Sequence, residues 1–149
     1  MTGTAGTQGA PSLPEPGVKI PARAFGPFEK EALARYAAVS GDDNPIHLDV
    51  KAAKSAGLFD TPVQGMLMLS CFERFIKEWR PDLSVARLSC KFLSPVFAGD
   101  SIRISGRAIS RRDTPRPESV LRLMAHGPDN RLAILCEATV RCNAPGRPR

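Results

Sequence analysis

A chain of 149 residues is long enough for one domain with a core of its own, and a hydrophobic fraction of 42% is ordinary for a globular protein. The formal charge of +6 suits an anionic partner such as a phosphate-bearing cofactor. Nucleic acid is poorly supported, because the chain has few aromatic residues and no recognisable binding motif, and no apolar run approaches the roughly 20 residues of a membrane span. The N-terminus shows neither the basic segment nor the apolar stretch of a secretory signal. A cytoplasmic protein is therefore expected. Cys71, Cys90, Cys136 and Cys142 form no C-x-x-C pair and are expected as free thiols packing like small hydrophobes. With only two histidines beside them, a zinc site is not expected.

Residues 1–17 are rich in Gly, Thr, Ser, Pro and Ala. Such a segment buries too little to offset its ordering entropy and is expected to be a disordered tail. A strand is predicted near Val18–Phe25, and a helix over Phe28–Val39 from Leu33, Tyr36 and Ala37 at helical spacing. Ser40-Gly41 ends that helix, since glycine accepts the left-handed backbone of a helix end. Residues 42–47 then form a loop in which Pro45 disfavours helix at Asn44. Asp49 is a good N-cap for a short helix over Val50–Ala56. Residues 64–79 make the most apolar helix, from Met66 to Trp79, expected to be buried on most sides.

Beyond Pro81 the period changes to two. Ala86, Leu88, Cys90 and Phe92 share one face; Ile102, Ile104 and Ala108 another; Leu121, Leu123 and Ala125 a third; Leu132, Ile134, Cys136, Ala138 and Val140 a fourth. These are four half-buried strands. The prediction is an α+β fold, a curled antiparallel sheet with one greasy helix against its inner face. Residues 143–149 form a second loose end, so the folded part is expected to span 18–142.

Chemistry concentrates in Ser40-Gly41-Asp42-Asp43-Asn44-Pro45-Ile46-His47. A carboxylate and an imidazole lie five residues apart on a turn stiffened by proline. Free imidazole titrates near ~6.5, which suits proton transfer at working pH. As a bare Asp-Asn-Pro loop this would be an ordinary Asx turn with a surface histidine. The run Pro62-Val63-Gln64-Gly65-Met66-Leu67 downstream turns the balance toward a site. Asp43 and His126 are read as solvated surface groups.

With Lys91-Phe92-Leu93-Ser94-Pro95-Val96-Phe97-Ala98-Gly99-Asp100, these two runs resemble the MaoC-like dehydratases, which include the R-specific enoyl-CoA hydratases, over residues 20–142. The resemblance implies the hotdog fold, an antiparallel sheet wrapped around a long central helix, and a homodimer or a dimer of dimers joined through sheet edges. It implies reversible addition of water to a trans-2-enoyl thioester, giving an (R)-3-hydroxyacyl thioester of coenzyme A or acyl carrier protein. Asp42 and His47 match the catalytic pair. Asn44, Gly65 and Met66 are counted as substrate-binding positions, Asn44 through its amide and Gly65 through a helix-terminal N–H aimed at the thioester carbonyl. No metal or redox cofactor is implied. Met66, Met68 and Phe72 also read as core, with one helix face able to line an acyl tunnel. Glu73, if it faced the pocket, would disfavour long apolar chains. Arg103, Arg107, Arg111, Arg112 and Arg116 read first as a solvated face and otherwise as phosphate ligands. A hotdog thioesterase and a non-catalytic acyl-CoA-binding subunit are the alternatives.

Overall fold

Residues 12–144 are described by the computed structural model. They form strands β1 (Lys19–Phe25), β2 (Leu83–Phe92), β3 (Ile102–Arg112), β4 (Glu118–His126) and β5 (Leu132–Cys142), and helices α1 (Lys30–Ser40), α2 (Val50–Ser55) and α3 (Gly65–Trp79). The strands make one sheet in the order β1-β3-β4-β5-β2, with every pairing antiparallel. The period-two pattern sets its inner face. Ile102, Ile104 and Ala108, then Leu121, Leu123 and Ala125, then Ile134, Cys136, Ala138 and Val140 are all buried. On β2 the pattern breaks at a register shift between Val85 and Arg87. The shift leaves Ala86 exposed, and Phe92, expected to point inward, is 51% exposed.

Helix α3 lies on that inner face and buries Met68, Phe72, Phe75 and Ile76. Phe75 meets Phe25 of β1 edge to face, with ring centroids 6.5 Å apart. Truncating either buried phenylalanine of α3 to alanine would cost about 3–5 kcal/mol. The expectation that α3 is buried on most sides is corrected, because Met66, Ser70, Glu73, Arg74 and Glu78 are exposed. One stripe of the helix carries the core, and the opposite stripe is open in the single chain.

Helix α1 starts at Lys30, two residues later than predicted, because the backbone of Phe28 is used elsewhere. Its N–H donates to the Asp100 carbonyl (2.9 Å), and its own carbonyl accepts from Gly99 (2.7 Å). The helix ends as expected, with Gly41 at φ 79° and its N–H on the Ala37 carbonyl.

The expected N-terminal tail is corrected over residues 12–17. Leu13, the one leucine of that stretch, is buried in the core. The Ser119 hydroxyl donates to the Pro14 carbonyl (2.9 Å), and the Gly17 N–H donates to Ala108 (2.8 Å). Residues 1–11 lie outside the described residues. At the other end Asn143 continues the β2–β5 edge, donating its N–H to Asp82 (2.8 Å) and its amide to Pro81 (3.2 Å). The expected loose end is thus held at its first residue, and residues 145–149 lie outside the described residues. No disulfide joins Cys71, Cys90, Cys136 or Cys142. Cys136 is buried and the others are half-buried.

Candidate active site

The end of α1 shapes the loop that carries Asp42. The Ser40 hydroxyl donates to the Tyr36 carbonyl at 2.6 Å and accepts the Asp42 N–H at 3.1 Å. Ser40 therefore does more than stop the helix, since it hooks the backbone of Asp42 to the last turn. Asn44 follows with its Oδ1 accepting the Ile46 N–H (3.2 Å), which caps a single 3-10 turn over Pro45–His47. Its side-chain oxygen thus shapes the loop. Asp49 then caps α2 through the Lys51 N–H, so the whole segment is pinned by side-chain-to-backbone bonds at short range.

His47 leaves this turn at its third residue. Its Nδ1 lies 2.7 Å from the Pro62 carbonyl. A carbonyl oxygen only accepts, so Nδ1 carries the hydrogen, and in the neutral ring Nε2 keeps its lone pair. That Nε2 faces Asp42 Oδ2 at 3.8 Å. The gap is too long for a direct hydrogen bond and suits one water held by both groups. The imidazole is 13% exposed and the carboxylate 43%, so the pair has a protein side and an open side.

Pro62 belongs to a short connection that is itself fixed. Val63 donates to the Val96 carbonyl (2.7 Å), and Ala98 donates to Thr61 (2.9 Å). This connection delivers Gly65 as the first residue of α3. The N–H groups of a first helical turn have no carbonyl of their own helix to bond, and they sit at the positive end of the helix dipole. A cavity of about 310 Å³ opens here, lined by Pro62, Val63, Gly65, Met68, Phe92 and Leu93 among others. The Phe92 ring packs against Gly65 so closely that a Cβ there would lie 2.9 Å from its Cε1. Glycine is what lets the ring approach this backbone so closely.

Asp42 and His47 are thus brought together, and His47 is bonded to a residue of the cavity wall. Met66 departs from its expected role, being 57% exposed and absent from the cavity lining. Adjacent helical residues point about 100° apart, so a neighbour of Gly65 faces elsewhere. Glu73 is exposed on α3 and not in the cavity wall. None of the five arginines lines this cavity. Arg111 pairs with Glu15 and Asp113, Arg112 pairs with Glu118, and Arg107 lines a separate cavity of about 510 Å³ with Lys19 and Arg122. Among the described residues no group of three or more His, Cys, Asp or Glu comes together as a metal cluster. Sequence reasoning missed the Ser40 hook, the Pro62 carbonyl and the place of Phe92 in the wall. Only the first had a local signal, a serine at the end of a helix.

Residues 7–121 match the MaoC like domain. The chain belongs to the MaoC-like dehydratase family. Within this MaoC-like group it is 32% identical over 117 residues to the (R)-specific enoyl-CoA hydratase of Aeromonas caviae, across 76% of this chain and 86% of that protein. It is 40% identical over 87 residues to the mitochondrial 3-hydroxyacyl-[acyl-carrier-protein] dehydratase of Arabidopsis thaliana, across 58% of this chain and 52% of that protein. The chain spans about half the length of that relative and of its Solanum lycopersicum counterpart. The solved structure of the (R)-hydratase from A. caviae superposes with a TM-score of 0.79 at 29% identity, covering 90% of this chain and 100% of that one. The MaoC-like chain accordingly has the hotdog fold, a five-stranded antiparallel sheet around one long helix.

Proposed function

We propose that this MaoC-like protein adds water reversibly to a trans-2-enoyl thioester, giving an (R)-3-hydroxyacyl thioester. The observation that carries the reading is the 3.8 Å gap between His47 Nε2 and Asp42 Oδ2, with the imidazole orientation set by its bond to Pro62. Two acceptors at that spacing take the two hydrogens of one water and turn its oxygen lone pair outward. Attack on C3 of the enoyl group forms the new C–O bond, and one water proton passes to the pair. The electrons of the double bond move onto the thioester oxygen, where the N–H of Gly65 at the positive end of α3 stabilises the negative charge. A proton from the pair then goes to C2 and closes the balance. Dehydration is the same path reversed.

Asn44 serves through the loop it caps, and Gly65 through its backbone. No electrons leave the substrate, so the reaction calls for no redox cofactor. The mostly apolar cavity beside Gly65 suits an acyl group, and the carrier is coenzyme A or acyl carrier protein. Relatives of both kinds support that choice of carriers. A second copy of this chain, pairing along the free edge of β2, would cover the exposed Met66, Phe92 and Leu93 and protect an edge strand that invites aggregation. Cysteines without disulfides fit a reducing compartment such as the cytoplasm.

The test is hydration of crotonyl-CoA, followed by loss of the absorbance of its conjugated thioester, beside a free-thiol assay. Absorbance loss without thiol release is the expected result. Thiol release would make the protein a thioesterase, and silence across a panel of enoyl-CoA and enoyl-acyl carrier protein substrates would overturn an enzymatic reading.

A further inference from the structure

Gln64 stands immediately before α3 and is fully buried. Its Nε2 donates to the Leu33 carbonyl at 2.9 Å, while its Oε1 meets no donor among the described residues. Stability does not account for such a residue. Leu33 lies inside α1, where its carbonyl already accepts from the residue four places on. The bond from Gln64 is therefore a second one to a satisfied acceptor. A buried acceptor without a partner is destabilising, and an apolar side chain of similar shape would avoid that penalty. The gain from a glutamine here has to be sought in what it connects.

It connects the two halves of the candidate site. Helix α1, which Gln64 grips, ends in the Ser40 hook that holds Asp42. Helix α3, which Gln64 precedes, begins with Gly65, and the backbone carbonyl of Gln64 accepts the N–H groups of Leu67 (3.1 Å) and Met68 (3.2 Å). The bond from His47 to Pro62 ties the third piece to the same connection. Without the carboxamide, no side-chain hydrogen bond among those of the described residues ties α1 to that connection.

We infer that Gln64 is a positioning residue for the hydration proposed above, on which this inference rests. Its carboxamide keeps the arm bearing Asp42 in register with the helix end bearing the Gly65 N–H. It touches no reacting atom and acts through those two groups. Misplacement of a reacting group by about 1 Å is enough to cost on the order of 10²-fold in rate.

The experiment compares Gln64→Leu, which removes donor and acceptor, with Gln64→His, whose Nε2–H reaches as far as the carboxamide. Gln64→Leu is expected to keep the wild-type melting temperature. Its kcat should fall by roughly 10- to 100-fold with KM within about twofold, and Gln64→His should regain most of that loss. A wild-type kcat in Gln64→Leu, or equal losses in both variants, would overturn the inference. If Gln64→Leu does not fold, Gln64→Met replaces it, and failure of both would make the glutamine structural and end the inference. Amide spectra of the whole chain give a readout independent of turnover. Gln64→Leu should shift the Asp42 and Gly65 amide resonances together, and an unmoved Asp42 would overturn the positioning role even if the wild-type protein hydrated nothing.

Discussion

The imidazole of His47 is oriented by a carbonyl fifteen residues away, Nδ1 donating to Pro62 at 2.7 Å. The bond does two things at once. It leaves Nε2 as the ring nitrogen with a lone pair to offer, and it fastens the loop of Asp42 and His47 to the wall of the cavity beside Gly65. His47→Asn keeps an amide N–H near the place of Nδ1 for Pro62 and loses the second ring nitrogen, and Asp42→Asn keeps the shape and loses the carboxylate. Each is expected to lower kcat by about 10²–10⁴ with an unchanged circular dichroism spectrum. Near-wild-type hydration by either variant would sink the assignment of the pair.

Ser40→Ala separates holding Asp42 from being Asp42. The variant loses both bonds of the hydroxyl, to the Tyr36 carbonyl and from the Asp42 N–H, and leaves the carboxylate in place. The stability cost should be small, about 0.5–1.5 kcal/mol per bond removed, because the site is exposed and water can substitute. The kcat should fall by less than in Asp42→Asn, and the two substitutions together should be no worse than Asp42→Asn alone. Additive losses in steady-state kinetics of the double variant would show that Ser40 acts independently of Asp42.

Much of this was legible in the sequence. Alternation at Ile102–Ile104, Leu121–Leu123–Ala125 and Ile134–Cys136–Ala138–Val140 named the inner face of the sheet, because a strand has one periodicity and two faces. Asp42 and His47 were visible because turn chemistry is local: a serine, a glycine, an Asx residue and a proline each act within a few positions. What stayed hidden depends on the third dimension. The Pro62 carbonyl is a backbone group, and nothing in a proline codes for its partner. Met66 was misjudged because apolar composition does not say which side of α3 meets the sheet. Leu13 was misjudged because one leucine among Pro, Gly and Ser gives no periodicity to read.

Glu118 sets an acid limit on stability far from the site. Its carboxylate accepts from Nε and Nη2 of Arg141 (3.2 and 3.1 Å) and pairs with Arg112. Burial pushes its pKa up, but the hydrogen bonds and charges of Arg141 and Arg112 outweigh burial and hold it below the usual 4.5. The folded state then binds fewer protons than the unfolded state in the acid range. The contribution is present above about pH 4.5 and is lost as pH falls through the lowered folded value. Melting curves from pH 7 to 3 should show an acid limb that is shallower in Glu118→Gln. Parallel limbs in the two proteins would mean that other carboxylates dominate.

Gly65→Ala tests whether the start of α3 is a working surface. A Cβ there would stand 2.9 Å from Cε1 and 3.0 Å from Cζ of Phe92. The obstacle is the far end of a side chain that is 51% exposed, so the ring can swing aside and the fold should survive. Alanine is a better helix former than glycine, which offsets part of the strain, so the melting temperature should stay near wild type. Catalysis should not survive as well. On the proposed mechanism the added methyl group would crowd the N–H that receives the thioester oxygen, and the displaced ring moves within the cavity that it lines with Met68. The kcat/KM for an enoyl thioester should fall at least roughly tenfold, with kcat lowered as well as KM raised, because the lost contact is with charge that develops only in the transition state. A rise in KM alone would assign Gly65 to acyl fit, and an unchanged kcat/KM would remove it from the oxygen-binding role.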